Sequence, residues 1–276
     1  MMVDNTPEAF YRFIGEDPRV AWGELAVWRD YGLKVGARYK GKFLNKFGRS
    51  EEVTTASRTV ALLGAGESHE TYLDSNAITL VSSDGTGDEQ TIVVEGHTID
   101  GSGDFTFVTQ AATLTGQDPV TLDTPLARCS RLYNTGTEDF AGNIYVYEDE
   151  TPTAGVPQTP EGVHLVVPLG KNQSFKAATT ISKDDFYFIT QLYASVNKKT
   201  SAIVDVELEI RLKGSVFRQQ FPISVATAGS NTAVIDFNPV IIVPRNADIR
   251  MTAIANTGSG IGVSGGFNGY LASVLG

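Results

Sequence analysis

The sequence predicts a mainly β protein of antiparallel β-sandwich or jelly-roll-like lobes, one large or two in tandem, behind a short helical N-terminal segment and an extended basic arm. Three observations carry this. Residues Val204 to Lys213 alternate apolar and charged without exception, which puts Val204, Val206, Leu208, Ile210 and Leu212 on one face of a strand and Asp205, Glu207, Glu209, Arg211 and Lys213 on the other. After Ser50, short apolar runs follow one another, broken by Gly, Asp, Asn and Pro, the spacing of a sandwich or barrel. A stretch with three prolines and three acids, Glu148 to Pro160, interrupts them and excludes regular structure there.

Taken in order, the chain opens with Thr6-Pro7-Glu8, a helix start with Thr as cap and Pro in the first turn, and Gly15 ends it. Asp17-Pro18 repeats the signal, and Ala21, Leu25 and Trp28 recur at helical spacing up to Gly32. From Leu33 the period becomes two, with Leu33, Val35, Ala37 and Tyr39 against Lys34, Gly36, Arg38 and Lys40. This is an extended arm, and it is basic. Seven basic residues and Asp30 between Arg29 and Arg49 give a local charge of +6 in a chain of net charge −10. Nine aromatic residues lie before Gly48, too much apolar surface for a free tail. The arm is therefore expected to dock on its own body, on a neighbouring subunit or on a larger assembly.

Strands are expected at Arg58–Leu63, Thr71–Ser82, Glu89–Glu95, Asp104–Leu114, Ala127–Asn134, Asn143–Tyr147 and Val163–Leu169. Others follow at Asp185–Asn197, Asn231–Asn238, Val240–Val243, Ala247–Asn256 and Gly262–Val274. The alternating strand folds back through Gly214-Ser215 onto Val216–Ile223. Pairing Lys213 with Val216 sets Leu212 opposite Phe217, Leu208 opposite Phe221 and Val206 opposite Ile223, and Pro222 marks an edge. The domain organisation read from this is an N-terminal segment and arm at 1–50, a first β lobe at 51–148, a linker or long loop at 149–162 and a second β lobe at 163–276. One continuous sandwich with a surface loop competes with it.

The acidic balance argues against general nucleic-acid binding. No apolar run is long enough for a membrane helix, and the N-terminus lacks the pattern of a signal peptide, which fits cytoplasmic synthesis. Cys129 is the only cysteine, so no internal disulfide forms, and it reads as a buried bystander. Asp84-Gly85-Thr86-Gly87-Asp88 and Asp100-Gly101-Ser102-Gly103-Asp104 share a D-G-x-G-D form. Calcium needs more oxygen ligands than either carries, and Asp-Gly hairpin turns explain both. Gly262-Val263-Ser264-Gly265-Gly266 matches G-x-S-x-G, but the ten residues after it hold neither a helix nor a histidine for an elbow serine. His69, His97 and His164 have no ligand spacing and read as surface or loop residues. Acid pairs such as Asp184-Asp185 read as solvated loop charge. No catalytic, metal or cofactor residue is assigned, and no enzyme is expected.

Several segments together resemble a family: Asn45-Lys46-Phe47-Gly48-Arg49, Ile92 to Gly96 with Ala112 to Gly116 and Pro119-Val120, Arg131-Leu132-Tyr133, Gly142-Asn143-Ile144, Gln191 to Asn197, Ile241 to Pro244 and Asp248-Ile249-Arg250. The chain from about Asn45 onward resembles β-rich virion structural proteins of tailed, podovirus-like bacteriophages. The resemblance implies a non-enzymatic virion component, assembled in the host cytoplasm. It would be a capsid decoration or cement protein binding the major capsid protein or other virion proteins as a homo-oligomer such as a trimer. A tail-collar, fibre or receptor-binding part is the alternative, and a glycan-processing β-sandwich enzyme a remote one. Partner contacts are expected from Trp22, Trp28, Arg38, Tyr39, Lys40, Lys42, Phe43, Lys46, Phe47 and Arg49, aromatic burial with basic residues meeting acidic protein surface. No cofactor, membrane or specific nucleic acid is expected as a partner.

Overall fold

The computed structural model describes residues 39–61, 72–197, 201–227, 231–258 and 260–274. The two expected helices, Trp22, Trp28, Arg38 and His69 lie outside them. Among the described residues the only helical turn is a short 3-10 segment, Pro160–Gly162. None of their helices is long and apolar enough to cross a membrane.

Sixteen strands are described: β1 (Tyr39–Val53), β2 (Arg58–Thr59), β3 (Ile78–Ser83), β4 (Thr91–Ile99), β5 (Phe105–Thr113), β6 (Val120–Leu126), β7 (Arg128–Asn134), β8 (Ile144–Glu148), β9 (Val163–Val167), β10 (Ala178–Thr180), β11 (Asp185–Asn197), β12 (Ile203–Arg211), β13 (Phe217–Ala226), β14 (Thr232–Val243), β15 (Asp248–Ala255) and β16 (Ile261–Val274). All their pairings are antiparallel.

Two sandwiches result. In the larger, a sheet ordered β1-β16-β11-β14 faces one ordered β10-β15-β12-β13. A core including Tyr187, Leu192, Val206, Leu208, Ile249, Met251 and Phe267 lies between them. Its strands pair in nested fashion, β1 with β16, β10 with β15, β11 with β14 and β12 with β13. That is one long antiparallel ribbon rolled on itself, the connectivity of a jelly roll. In the smaller, a sheet ordered β6-β3-β8-β9 packs on one ordered β5-β4-β7, around Ile78, Val94, Leu126, Leu132, Ile144 and Leu165.

The smaller sandwich is inserted into one strand of the larger. β2 and β10 both lie along the same edge of β15, at Thr252–Ala253 and at Asp248–Arg250. The outgoing and returning chains touch, since Ala61 bridges Lys176 and Ala177 N–H donates to Val60 O at 3.0 Å. Strand β1 crosses this neck at Gly48, where a Cβ would stand 1.9 Å from Val60 O. Only glycine permits so close an approach of backbones.

These pairings correct the expected domain boundaries. The extended reading of the arm holds from Tyr39, but residues 39–53 are an edge strand of the jelly roll, paired with β16 from Tyr39 to Ser50 and, past an irregularity, again at Val53. The 149–162 stretch joins β8 to β9, neighbours in one sheet, so it is a loop within the smaller sandwich. It folds back over the outer face of that sheet, where Val156 packs on Leu80, Tyr145, Tyr147, Val163 and Val166. The passage to the jelly roll falls instead between β9 and β10.

Register at the alternating strand holds in part. Val206 faces Ile223 and Leu208 faces Phe221, but a bulge at Gln220 then sets Ile210 opposite Arg218 and Arg211 opposite Phe217. The turn explains the slip. Ser215 N–H donates to Leu212 O, and Gly214 takes φ +70°, so the tight turn starts one residue earlier than expected, with glycine where positive φ is needed. Pro222 does sit on an edge strand.

Where the sandwiches meet, side chains replace strand pairing. Asp248, buried, accepts Arg128 Nε at 3.0 Å, Thr180 Oγ1 at 2.7 Å and Arg211 Nη2 at 2.5 Å. Lys46 Nζ donates to Ser130 O at 2.8 Å, and Lys176 Nζ to Cys129 O at 3.0 Å and His164 O at 3.1 Å. Ser130 and His164 stand at register shifts in β7 and β9, so buried ammonium groups supply donors there, as buried polar atoms require.

Candidate functional site

Polar clusters singled out in the sequence prove to be internal fastenings. Asp88 is fully buried and accepts Ala141 N–H at 2.7 Å, Gly142 N–H at 3.0 Å and the Ser83 hydroxyl. Asp84 accepts Asn143 N–H at 2.7 Å, Asn143 Nδ2 at 2.7 Å and Tyr145 OH at 3.2 Å. This segment is not a hairpin turn, because β3 and β4 belong to opposite sheets; its carboxylates fix the 139–143 loop. The second D-G-x-G-D segment is the β4–β5 hairpin turn, with Asp100 Oδ1 accepting Ser102 N–H and Asp104 N–H and Gly103 at φ +74°. Those backbone donors hold the Asp100 carboxyl below its ordinary range. Among the described residues no three His, Cys, Asp or Glu side chains are placed to share a metal ion.

Two histidines are corrected from surface to interior. His97 on β4 is buried edge-on to Phe105 and Phe107. Burial, with Lys46 adding to it, lowers its pKa to about 3, so the ring stays neutral. His164 on β9 is buried, with Nε2 2.9 Å from Glu148 Oε1. Cys129 is buried, and burial pushes its thiol up to about 11. Ser264 lies in mid-strand on β16, its hydroxyl accepting from Arg49 Nη1 at 3.2 Å.

The residues expected to meet partners separate into four groups. Trp22, Trp28 and Arg38 lie outside the described residues, and Tyr39 and Lys40 are placed by backbone alone, opposite Val274 and Ser273. Phe43 is 55 % exposed, edge-on to Tyr270, and Lys42 is exposed with Nζ 5.7 Å from the Phe107 ring centroid. Lys46, by contrast, is buried, and desolvation brings its pKa down to about 8 despite the nearby Glu95. It is used inside the chain and presents nothing to a partner. Phe47 packs on Phe175, and Arg49 pairs with Glu51 at 3.1 Å.

Phe47 and Arg49 belong to a groove of about 930 Å³ that the sequence did not reveal. Its floor is the outer face of the β1-β16-β11-β14 sheet, and Pro168, Lys171 and Phe175, from the segment joining the sandwiches, form a wall. A recess of about 370 Å³ beside Arg131, Tyr133 and Asn172 shares Lys171 and Phe175 with it. Strand register arranges the floor in three parallel rows. Asn45, Asn268, Gln191 and Asp236 form one, Phe47, Gly266, Tyr193 and Val234 the next, and Arg49, Ser264, Ser195 and Thr232 the third.

The first row is a directed hydrogen-bond chain. Asn45 Nδ2 donates to Asn268 Oδ1 at 2.5 Å, Asn268 Nδ2 to Gln191 Oε1 at 2.9 Å, and Gln191 Nε2 to Asp236 Oδ1 at 2.8 Å. Asn268 and Gln191 each donate and accept along the row, and the terminal carboxylate polarises the series. In the middle row the absent side chain of Gly266 makes room for Tyr193, since a Cβ there would stand 2.4 Å from the Tyr193 hydroxyl. Burial raises the Tyr193 phenol pKa, although its hydrogen bond to Asn45 opposes this.

No family model matches this chain, and no curated protein matches it. Solved structures to which it is similar include that of infectious bursal disease virus, strain Gt, and that of the VP2 subviral particle of the same virus. Each is 8 % identical and the match covers 88 % of this chain and 74 % of the other, with TM-scores of 0.22 and 0.19. Superposition at that level carries no argument about role.

Proposed function

We propose that this protein is a non-enzymatic structural component of a tailed-bacteriophage virion, decorating or cementing the head shell as a homo-oligomer. The observation that supports the reading is the continuity of the basic, aromatic N-terminal run with β1. Residues before Tyr39 supply the anchor, and β1 is bound to β16 from Tyr39 to Val53. A pull on the anchor therefore loads a long antiparallel ladder along its strands, so that its hydrogen bonds resist together. Phe43, exposed at the same edge, extends the apolar contact, and the resemblance to β-rich virion proteins agrees.

The experiment compares the full chain with a form beginning at Tyr39, a cut that spares β1, for co-sedimentation with purified heads lacking the protein. The full chain is expected to pellet with heads and the shortened one to remain in solution while keeping its β-type circular dichroism. Equal binding by both forms would remove the anchor from the reading. A tail-collar, fibre or receptor-binding component is the second reading, and the open groove favours it.

A further inference from the structure

The groove has a chemistry of its own. Its rows run polar amide, aromatic, polar hydroxyl, crosswise to four strands. A pyranose ring is amphipathic in the same sense, with an apolar C–H face and a rim of hydroxyls. Each hydroxyl both donates and accepts, as does each amide of the Asn45-Asn268-Gln191 chain, whose orientation is fixed beforehand by its own hydrogen bonds. The strands are about 4.8 Å apart, so the floor spans about 14 Å, room for about three sugar rings across it. Net charge is small. Of the charged lining residues Arg49, Glu51 and Lys171, the first two are paired, and Asp236 accepts from Gln191 at the end of the amide row. Such a surface selects no ion, and its volume lies within the range of ligand sites.

We propose that this trough binds a neutral oligosaccharide or polysaccharide strand, its rings laid on Phe47 and Tyr193 and its hydroxyls held by the amide row on one side and by Ser195, Thr232 and Ser264 on the other. The inference is independent of where the protein sits on a particle. The groove residues all lie after Tyr39, so failure of the anchor and failure of the groove are read in separate experiments.

The test is affinity electrophoresis of the full chain through native gels containing dextran, xylan, mannan or galactan. At least one polymer is expected to retard the protein, with retardation unchanged at raised salt. Tyr193→Ala and Gln191→Ala are each expected to weaken the interaction at least tenfold, and Arg218→Ala, on the remote β13 edge, to leave it unchanged. Should Tyr193→Ala melt early, Gln191→Ala carries the test, because it leaves the aromatic row intact. Absence of retardation by all four polymers would overturn the proposal, as would equal retardation of the groove variants. Retardation by dextran sulfate alone, abolished by salt, would also overturn it and make the groove an ionic docking patch.

Discussion

The two sandwiches reach order by different means. The jelly roll is built from long strands, with β1, β11 and β16 running 15, 13 and 14 residues, so most of its backbone is satisfied by ladder and its apolar residues alternate cleanly. In the inserted sandwich the strands run 5 to 9 residues, and the loops between them are held by side chains. Asp84 and Asp88 bind the 139–143 loop, Glu150 accepts Gln158 N–H, and Ser82 Oγ donates to Gly155 O. Long ladders leave a sheet face free to carry a groove, whereas short ones commit their polar side chains to holding loops.

That contrast can be broken most severely where the two halves join. Asp248→Ala leaves the buried Arg128 guanidinium without its carboxylate, and loss of one partner from a buried pair costs about 3–5 kcal/mol. Urea unfolding is expected to show the full loss, with the single transition separating into two as the sandwiches uncouple. Retention of one transition at wild-type stability would show that the junction is held elsewhere.

Next comes the junction's response to pH. Lys46 has a folded pKa of about 8 against an ordinary value of 10.5, so between these values the unfolded chain holds more protons than the folded one. Stability from this group therefore rises with pH across that window, by up to about 3 kcal/mol. Cys129, raised to about 11, acts in the opposite sense above pH 9. Comparison with Lys46→Met isolates the lysine, and the stability difference should move in favour of the wild type as pH rises from 8. A pH-independent difference would contradict its burial as a cation.

The smallest effect is expected within the inserted sandwich. Asp88→Ala strips the acceptor from Ala141 N–H and Gly142 N–H, at a cost of about 2 kcal/mol. Amide hydrogen exchange should quicken at 139–143 and remain unchanged in β11 and β16. Faster exchange in β16 as well would mean that the 139–143 loop opens only with the whole molecule and not on its own.

Much of the jelly roll was legible in the sequence. Asp185–Asn197 was bounded as the structure has it, and the faces of β12 and the pairs Val206–Ile223 and Leu208–Phe221 followed from a period of two. What escaped was non-local or weakly patterned. β6, Val-Thr-Leu-Asp-Thr-Pro-Leu, has too few apolar residues to announce a strand, and β10 is three residues long. The bulge at Gln220 has no local signature. The groove escaped for a further reason: alternation of Gln191, Tyr193 and Ser195 with Leu192, Ala194 and Val196 shows that the former face outward, but not that β1, β16 and β14 bring Asn45, Asn268 and Asp236 into line with them. Sheet order decides that, through pairings more than two hundred residues apart in the case of β1 and β16.

The neck at Val60 and Ala177 bears on how such a molecule diversifies. Chain that departs and comes home side by side, at Val60–Ala61 and Lys176–Ala177, imposes no topology on what it carries between. A replacement for β3 to β9 would have to satisfy Lys46, Lys176 and Asp248 and to meet Lys183, Lys213 and Asn246 as Asp100, Asp104 and Phe105 now do, so the rolled framework serves as a socket and the inserted unit as its head.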